Sequence, residues 1–415
     1  MSVLRTGGVL LTHPGKHFHF YQIARAAADA NLLNRFVTGL YFMPGTLGAR
    51  LLQWVPGRAV KSFQHRFASR RRAPGVSDDA VESLPACELV AMGLDRIPVL
   101  RDMIGRNRQV LWKNALYDRK FAARVSRLKP DIVHCLWGCA WKTFVQARKA
   151  GAITVLDVMI NPLAHQYVDG EYGHSSDKKS RMSRRECAEI ALADYVFSPS
   201  DFVSDGVAAM GFPRDRIIHI PYGVQTERFT ERKDRADDSF RILFVGQVAL
   251  RKGFQYLLEA FKDLDLPKAE LTIIGSPVDS VSEKVLRSYD GLFTWVPHVS
   301  YDELHRYYQA TDIFAFPSLA EGSALVSYEA LACGLPSIVT ANVGSVIRDG
   351  IEGFIVPTRD PGALREKIRL LYHDKNLARR MGLAARARAE NFTWKGYRDR
   401  IVDAYMEIYQ RKATT

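Results

Sequence analysis

Residues 241–262 read RILFVGQVALRKGFQYLLEAFK. Arg241–Val245 is a short apolar run of strand type, and Gly246 ends it. A turn closing with Arg251, Lys252 and Gly253 follows. Phe254, Leu257, Leu258 and Phe261 then recur at i, i+3, i+4 and i+7, which is one face of an α-helix. Strand, glycine turn and amphipathic helix together make half of a βαβ unit, and the chain repeats the unit in both directions. Downstream come the strand Leu271–Ile274 ending in Gly275, a capping-box spacing at Ser300-Tyr301-Asp302-Glu303 and the strand Ile313–Phe316. A helix over Ala324–Ala332, the stop Gly334-Leu335-Pro336 and the strand Ser337–Thr340 complete this half.

Upstream, the strand Gly8–Thr12 enters the turn His13-Pro14-Gly15-Lys16 and a helix carrying Ile23, Ala26 and Ala27. The strands Asp131–Leu136, Ile153–Ile160 and Tyr195–Ser198 follow, with a helix through Phe144 and Val145 after the first of them. Residues from about 45 to 115 offer only helices. Strands alternating with helices predict parallel sheets covered on both faces. The pattern breaks at Ile220-Pro221-Tyr222-Gly223-Val224, and the alternating charges of Glu227 to Asp238 read as a linker. The predicted architecture is α/β, two Rossmann-like domains over 1–222 and 223–390 facing a cleft, with a closing helical stretch, Trp394 to Tyr409, in 391–415.

Composition narrows the class. The chain has 415 residues, 47% hydrophobic and 25% charged, enough for two cores and unlike collagen-like, disordered or disulfide-stapled chains. Five cysteines without CxxC spacing indicate neither a disulfide framework nor a zinc site, and read as small buried hydrophobes. No apolar run approaches the roughly 18 residues of a membrane span. The opening MSVLRTGGVLLTHPGKH does not read as a signal peptide, so a cytoplasmic protein is expected.

A net charge of +13 favours phosphate-bearing partners. Arg58, Lys61, Arg66, Arg70, Arg71 and Arg72 fall within fifteen residues without an acid, just after Leu51, Leu52, Trp54 and Val55. That pattern suits either a helix lying on anionic lipid or a solvated basic face. No nucleic-acid motif accompanies the Arg70–Arg72 run.

In open α/β sheets ligands bind beyond the carboxyl ends of the strands, and anions bind at helix N-termini. Gly246 to Gly253 offers two adjacent cations in such a loop, or a plain basic turn. Ala320-Glu321-Gly322-Ser323-Ala324-Leu325 opens the helix that carries Glu329. The N–H groups of Ser323, Ala324 and Leu325 are expected as free donors, and Gly322 would let the backbone approach a ligand. Glu329 lies about 6 Å along the helix axis from Leu325, an offset that suits a diphosphate cap with a ribose one turn in. Glu321 reads either as a carboxylate beside a sugar or as an ordinary N-terminal acid, and Glu329 as a ribose ligand or a surface residue. Gly275-Ser276-Pro277 and Pro297-His298-Val299 either flank a base or merely connect elements. His13, His17 and His19 lack an acidic partner nearby in sequence, and no metal site is expected.

The segment Pro317-Ser318…Glu321-Gly322-Ser323-Ala324-Leu325…Glu329-Ala330-Leu331-Ala332-Cys333-Gly334-Leu335-Pro336 resembles the E-x7-E signature of family 4 glycosyltransferases, which have the GT-B fold. Val245-Gly246…Arg251-Lys252-Gly253 and Pro221-Tyr222-Gly223-Val224 match other stretches of that family in order and separation. The resemblance spans about residues 130 to 360. It implies a retaining, metal-independent transferase that takes a sugar from a nucleoside diphosphate donor, with no cofactor. The acceptor would be a glycan or a lipid-linked molecule, in polysaccharide or glycolipid synthesis at the inner face of a membrane.

By the same resemblance, Arg251 and Lys252 would hold the diphosphate, Glu329 the ribose and Glu321 the donor sugar. His165, in Asn161-Pro162-Leu163-Ala164-His165, matches the family's cleft histidine. Gly15 matches the glycine of the loop facing diphosphate and acceptor. The final helix would cross back to the first domain. Gln247 stands where many members have arginine, and Ser345 where many have glutamate. A nucleotide-sugar epimerase on the same fold, and a basic nucleic-acid-binding protein, are the rival readings.

Overall fold

The computed structural model describes residues 7–15, 17–41, 73–86, 88, 106–171, 183–231 and 237–413. The basic segment 58–72 with its apolar neighbours 51–55, together with Lys16 and Cys87, lies outside the described residues, as does part of the charged linker at 232–236.

The first domain is built from β1 (Val9–His13), α1 (Phe18–Asp29), β2 (Leu33–Thr38), β3 (Val81–Ser83), α2 (Arg106–Leu128), β4 (Ile132–Leu136), α3 (Trp141–Lys149), β5 (Ile153–Asp157), α4 (Ala164–Val168), α5 (Arg184–Leu192), β6 (Tyr195–Ser198), α6 (Asp201–Ala209) and β7 (Ile217–His219). Its strands form one parallel sheet in the order β3-β2-β1-β4-β5-β6-β7.

The second domain contains β8 (Phe240–Val245), α7 (Phe254–Lys262), β9 (Ala269–Ile274), α8 (Ser280–Arg287), β10 (Thr294–Val296), α9 (Tyr301–Gln309), β11 (Ile313–Phe316), α10 (Leu325–Ala332), β12 (Ser337–Thr340), β13 (Gly353–Val356), α11 (Pro361–His373) and α12 (Lys375–Glu390). Its sheet, again parallel, runs β10-β9-β8-β11-β12-β13. The fold is α/β, with two parallel Rossmann-like sheets of seven and six strands.

Apolar residues on both strand faces explain this arrangement. Ile242, Leu243, Phe244, Ile313, Phe314 and Phe316 are all buried, because helices cover both sides of the sheet. Phe254, Leu257, Leu258 and Phe261 of α7 turn inward as their spacing predicts, and burying each such side chain contributes about 1.5–3 kcal/mol.

The last helix, α13 (Trp394–Ala413), packs against α1 of the first domain. Tyr397, Ile401, Ala404, Tyr405 and Ile408 make its buried stripe. Arg398 Nη1 donates to Gln22 Oε1 at 2.7 Å, and Tyr405 Oη lies 2.6 Å from Nδ1 of the buried His134 on β4.

Four expectations need correcting. The stretch from 45 to 115 is not all helix, since Val81–Ser83 pairs in parallel with β2. β5 ends at Asp157 rather than Ile160, where the chain leaves the sheet toward α4. Ser300 heads α9 but makes no backbone cap; its hydroxyl donates to the Glu303 carboxylate instead. Cys135, Cys139 and Cys333 are buried as expected, whereas Cys187 is exposed.

Candidate functional site

β8 and β11 are neighbours at the point where the strand order reverses, so the loops leaving their carboxyl ends lie side by side. The β8 loop passes Gly246 and forms a 3₁₀ turn, Leu250–Lys252, before α7. Gly253 caps that turn with φ 72°, the left-handed region, and a Cβ there would lie 1.9 Å from Pro317 O. Only glycine allows the two loops to touch here. Leu319 N donates to Arg251 O, and Ser318 Oγ donates to the same carbonyl at 2.9 Å.

Three charged side chains meet at this seam. Glu321 Oε1 accepts from Arg251 Nη1 at 2.6 Å and lies 2.5 Å from Lys252 Nζ. Arg251 Nη1 also donates to Ala320 O at 2.8 Å, and Lys252 sits over the Phe316 ring at 5.3 Å. Burial lowers the pKa of the Lys252 ammonium, the Arg251 charge adds to that, and the Glu321 carboxylate opposes both. The arrangement is a pair of preorganised cations with one carboxylate between them.

Glu329 lies one turn into α10 and is buried, which excludes a surface role. Tyr308 Oη, from α9, donates to its Oε2 at 2.9 Å. Burial pushes the Glu329 carboxyl up to about 8, although the Tyr308 hydrogen bond works the other way.

The helix N-terminus is less open than its sequence suggests. Ala324 N donates to Val343 O, so one of the three expected donors is already used. Among the described residues the N–H groups of Ser323 and Leu325 have no acceptor. The Ser323 hydroxyl is tied to Gly344 O and Tyr328 Oη, both at 2.9 Å.

Gly322 faces the first domain. A Cβ there would stand 1.4 Å from Met159 O, and Ser200 Oγ, from the residue before α6, donates to Gly322 O. The Glu321 loop therefore abuts the end of β5, from which the chain turns into α4. Asn161 Oδ1 accepts from Leu163 N at 2.8 Å in that turn, and α4 carries the half-buried His165. The His165 carbonyl accepts from Asp169 N at 3.1 Å, while its imidazole makes no hydrogen bond or ion pair among the described residues. Gly15 has a left-handed φ of 100° after β1, and its nearest neighbours are Gly39 and Glu88 of the first domain.

Arg251, Lys252 and Glu321 are thus brought together, with Glu329 on α10, the helix that follows the Glu321 loop. Gly15 and His165 stay on the first-domain side. Sequence reasoning missed Tyr308, Ser200 and Met159, which come from elements remote in the chain and carry no motif.

It also missed the partner of His19. His19 Nε2 lies 3.2 Å from Asp157 Oδ1, and His134 Nε2 lies 3.7 Å from Oδ2. Burial alone would raise the Asp157 pKa, but the two histidines hold it well below the usual carboxylate range. Among the described residues no cluster of three or more His, Cys, Asp or Glu side chains is placed to hold a metal ion.

Comparison with known proteins bears on the family and the fold. Residues 65–228 match the model of Glycosyltransferase Family 4, and 225–388 that of Glycosyl transferases group 1. A D-inositol 3-phosphate glycosyltransferase of Paenarthrobacter aurescens is 33% identical over 260 residues, 56% of this chain and 62% of that protein. The chain spans less than two thirds of the length of the inositol phosphate relatives it matches, from 54 to 63%. Sulfoquinovosyl transferase SQD2 of Arabidopsis thaliana is 26% identical over 66% of this chain and 56% of its own length.

Among solved structures, a sucrose-phosphate synthase from Thermosynechococcus elongatus superposes with a TM-score of 0.69 at 19% identity, covering 98% of this chain and 100% of that one. HepE of Anabaena, in complex with UDP-glucose, superposes with a TM-score of 0.65 at 13% identity, covering 97% and 100%. With both domains matched by their family models and the whole chain sharing their fold, the protein belongs to the group 1, family 4 glycosyltransferases of GT-B fold.

Proposed function

We propose that the protein transfers a sugar, with retention, from a nucleoside diphosphate donor to a glycan or lipid-linked acceptor, without a metal ion. The observation that carries this reading is the convergence of Arg251, Lys252 and Glu321 at the β8–β11 seam, with Glu329 one turn further along α10. The UDP-glucose bound to HepE supports a nucleotide-sugar donor.

The physical task is to stabilise negative charge on the departing diphosphate while the sugar gains positive character. Arg251, Lys252 and the N–H groups at the start of α10 are in place before reaction and need little reorganisation. Glu321 would exchange its contact with the cations for the transferred sugar as phosphate takes its place. Glu329 and Tyr308 would receive the ribose hydroxyls, and His165 would meet the sugar from the first domain, with Gly15 beside diphosphate and acceptor. Retention is assigned to attack from the face the diphosphate leaves, with no enzyme nucleophile.

A cytoplasmic enzyme working on an anionic membrane face, in polysaccharide or glycolipid synthesis, completes the proposal. The domain limits at 222 and 390 belong to it as well. Among the described residues no helix is long and apolar enough to cross a membrane. The test is to incubate the protein with a panel of labelled nucleotide sugars and isolated membranes. Transfer to lipid or glycan with retained anomeric configuration is expected. Donor conversion without transfer would replace this reading with an isomerase.

A further inference from the structure

Apart from the Ser200–Gly322 contact, the two domains meet at a polar cluster around Glu171. Glu171, just past α4, lies only 10% exposed at its side chain although it belongs to a surface segment. Its Oε1 accepts from Tyr256 Oη at 2.7 Å and from Arg359 Nε at 2.8 Å, and its Oε2 accepts from Gln255 Nε2 at 2.9 Å. All three donors come from the second domain. Arg359 Nη2 then reaches back to the carbonyls of Tyr167 at 2.7 Å and Asp169 at 3.3 Å. An acid with three donors and a guanidinium shared among three oxygens make a firmer contact than a simple surface ion pair.

Two details set this contact apart. Arg359 has φ 60°, a left-handed conformation that residues with a Cβ adopt reluctantly. A glycine would suit that backbone better, yet only a long cationic side chain reaches across to Glu171. The second detail is what the contact joins. Gln255 and Tyr256 lie in the first turn of α7, directly after the Arg251-Lys252-Gly253 turn, and Gln255 Nε2 also donates to Leu250 O at 2.9 Å. Glu171 and the carbonyls of Tyr167 and Asp169 belong to the segment that carries His165. Burial, with the neighbouring carboxylate, pushes the Tyr256 phenol up to about 12, so it stays a donor at neutral pH.

We propose that Glu171 and Arg359 form a closure latch, two positioning residues whose cross-domain contact seats α4, and with it His165, against the turn bearing Arg251 and Lys252. What the latch positions rests on the proposed transferase reading; that it closes the domains does not.

Arg359→Gly separates the latch from folding, because it removes the side chain while relieving the backbone. The variant should melt no earlier than the wild type. Small-angle X-ray scattering of the ligand-free protein should show a larger radius of gyration for Arg359→Gly and Glu171→Gln. With a donor that the wild type uses, kcat should fall roughly ten- to a hundred-fold, the loss of one or two charge-assisted bonds, while the affinity for the bare nucleoside diphosphate holds. Arg359→Lys should recover part of the rate, and Arg359→Gly should cost little more once His165→Ala is in place. Unchanged scattering in both variants overturns the latch whatever the activity. An opened profile in a protein that transfers no sugar from any donor keeps the latch and removes the transferase reading instead.

Discussion

Lys252 Nζ lies 2.5 Å from Glu321 Oε1, so a carboxylate already occupies the anion position beside Lys252 that an incoming phosphate would need. On the proposed reading, phosphate and carboxylate would compete for Lys252 and Arg251. Replacing Glu321 by glutamine should therefore tighten binding of the bare nucleoside diphosphate, by about 1 kcal/mol or roughly fivefold in Kd. The same change should lower kcat by about 10²–10³, because the sugar loses a partner for its developing positive charge. Calorimetric titration with nucleoside diphosphate and steady-state kinetics read the two effects separately. Weaker nucleotide binding in Glu321→Gln would contradict the exchange.

Glu329 makes stability depend on pH. Its carboxyl titrates near 8 in the folded protein, above the ordinary glutamate range, so the folded state holds a proton that the unfolded state releases. This contribution is complete below the unfolded value and declines as pH rises toward 8, by about 1.4 kcal/mol per pH unit at most. Glu329→Gln should remove that slope. Denaturant midpoints of the two proteins should agree at pH 5, with the variant more stable at pH 9. A variant that follows the wild-type profile would place the titration elsewhere. At neutral pH, where the Glu329 carboxyl is mostly protonated, donor KM should rise only about 2- to 13-fold in Glu329→Gln, the loss of an uncharged hydrogen bond, with kcat little changed, since the ribose gains no charge in the transition state.

Chelation provides the third test. The cations in the proposed site are Arg251 and Lys252, so turnover should continue in excess EDTA. Loss of activity with recovery on adding magnesium or manganese would show that the diphosphate is held another way.

Gly322 meets the first domain with its backbone, which accepts from the Ser200 hydroxyl and lies against Met159 O. Alanine there would put a Cβ 1.4 Å from Met159 O, and the loop would have to retreat from the first domain. Gly322→Ala should keep nucleoside diphosphate affinity within about threefold, a change below 1 kcal/mol, and lose at least tenfold in kcat. Wild-type turnover would mean that catalysis does not require this contact.

Where strands are apolar throughout and bounded by glycine or proline, the chain was easy to read, and β11 and β12 run as their sequence suggests. β2 begins Leu33-Asn34-Arg35, while β3 and β7 have three residues each, too short or too polar for a period to show. The convergence of Arg251, Lys252 and Glu321 was legible because loops after neighbouring parallel strands must lie together. Their pairing was not, since spacing carries no information about which charges meet before a ligand arrives. Neither was the contact between His19 and Asp157, 138 residues apart and joined only once the sheet has assembled.

The docking of α13 on the first domain also orders the protein's birth. Tyr405 reaches its partner His134 across 271 residues of chain, and Tyr397 and Ile401 fill the same domain's side. At a ribosomal pace of about 5–20 residues per second, that interval lasts roughly 15–55 s. For that time the nascent first domain waits with His134 uncovered, while the second domain is translated in full. A ribosome-bound chain halted before residue 394 should therefore expose this face to chaperones, and release of the last helix should conceal it.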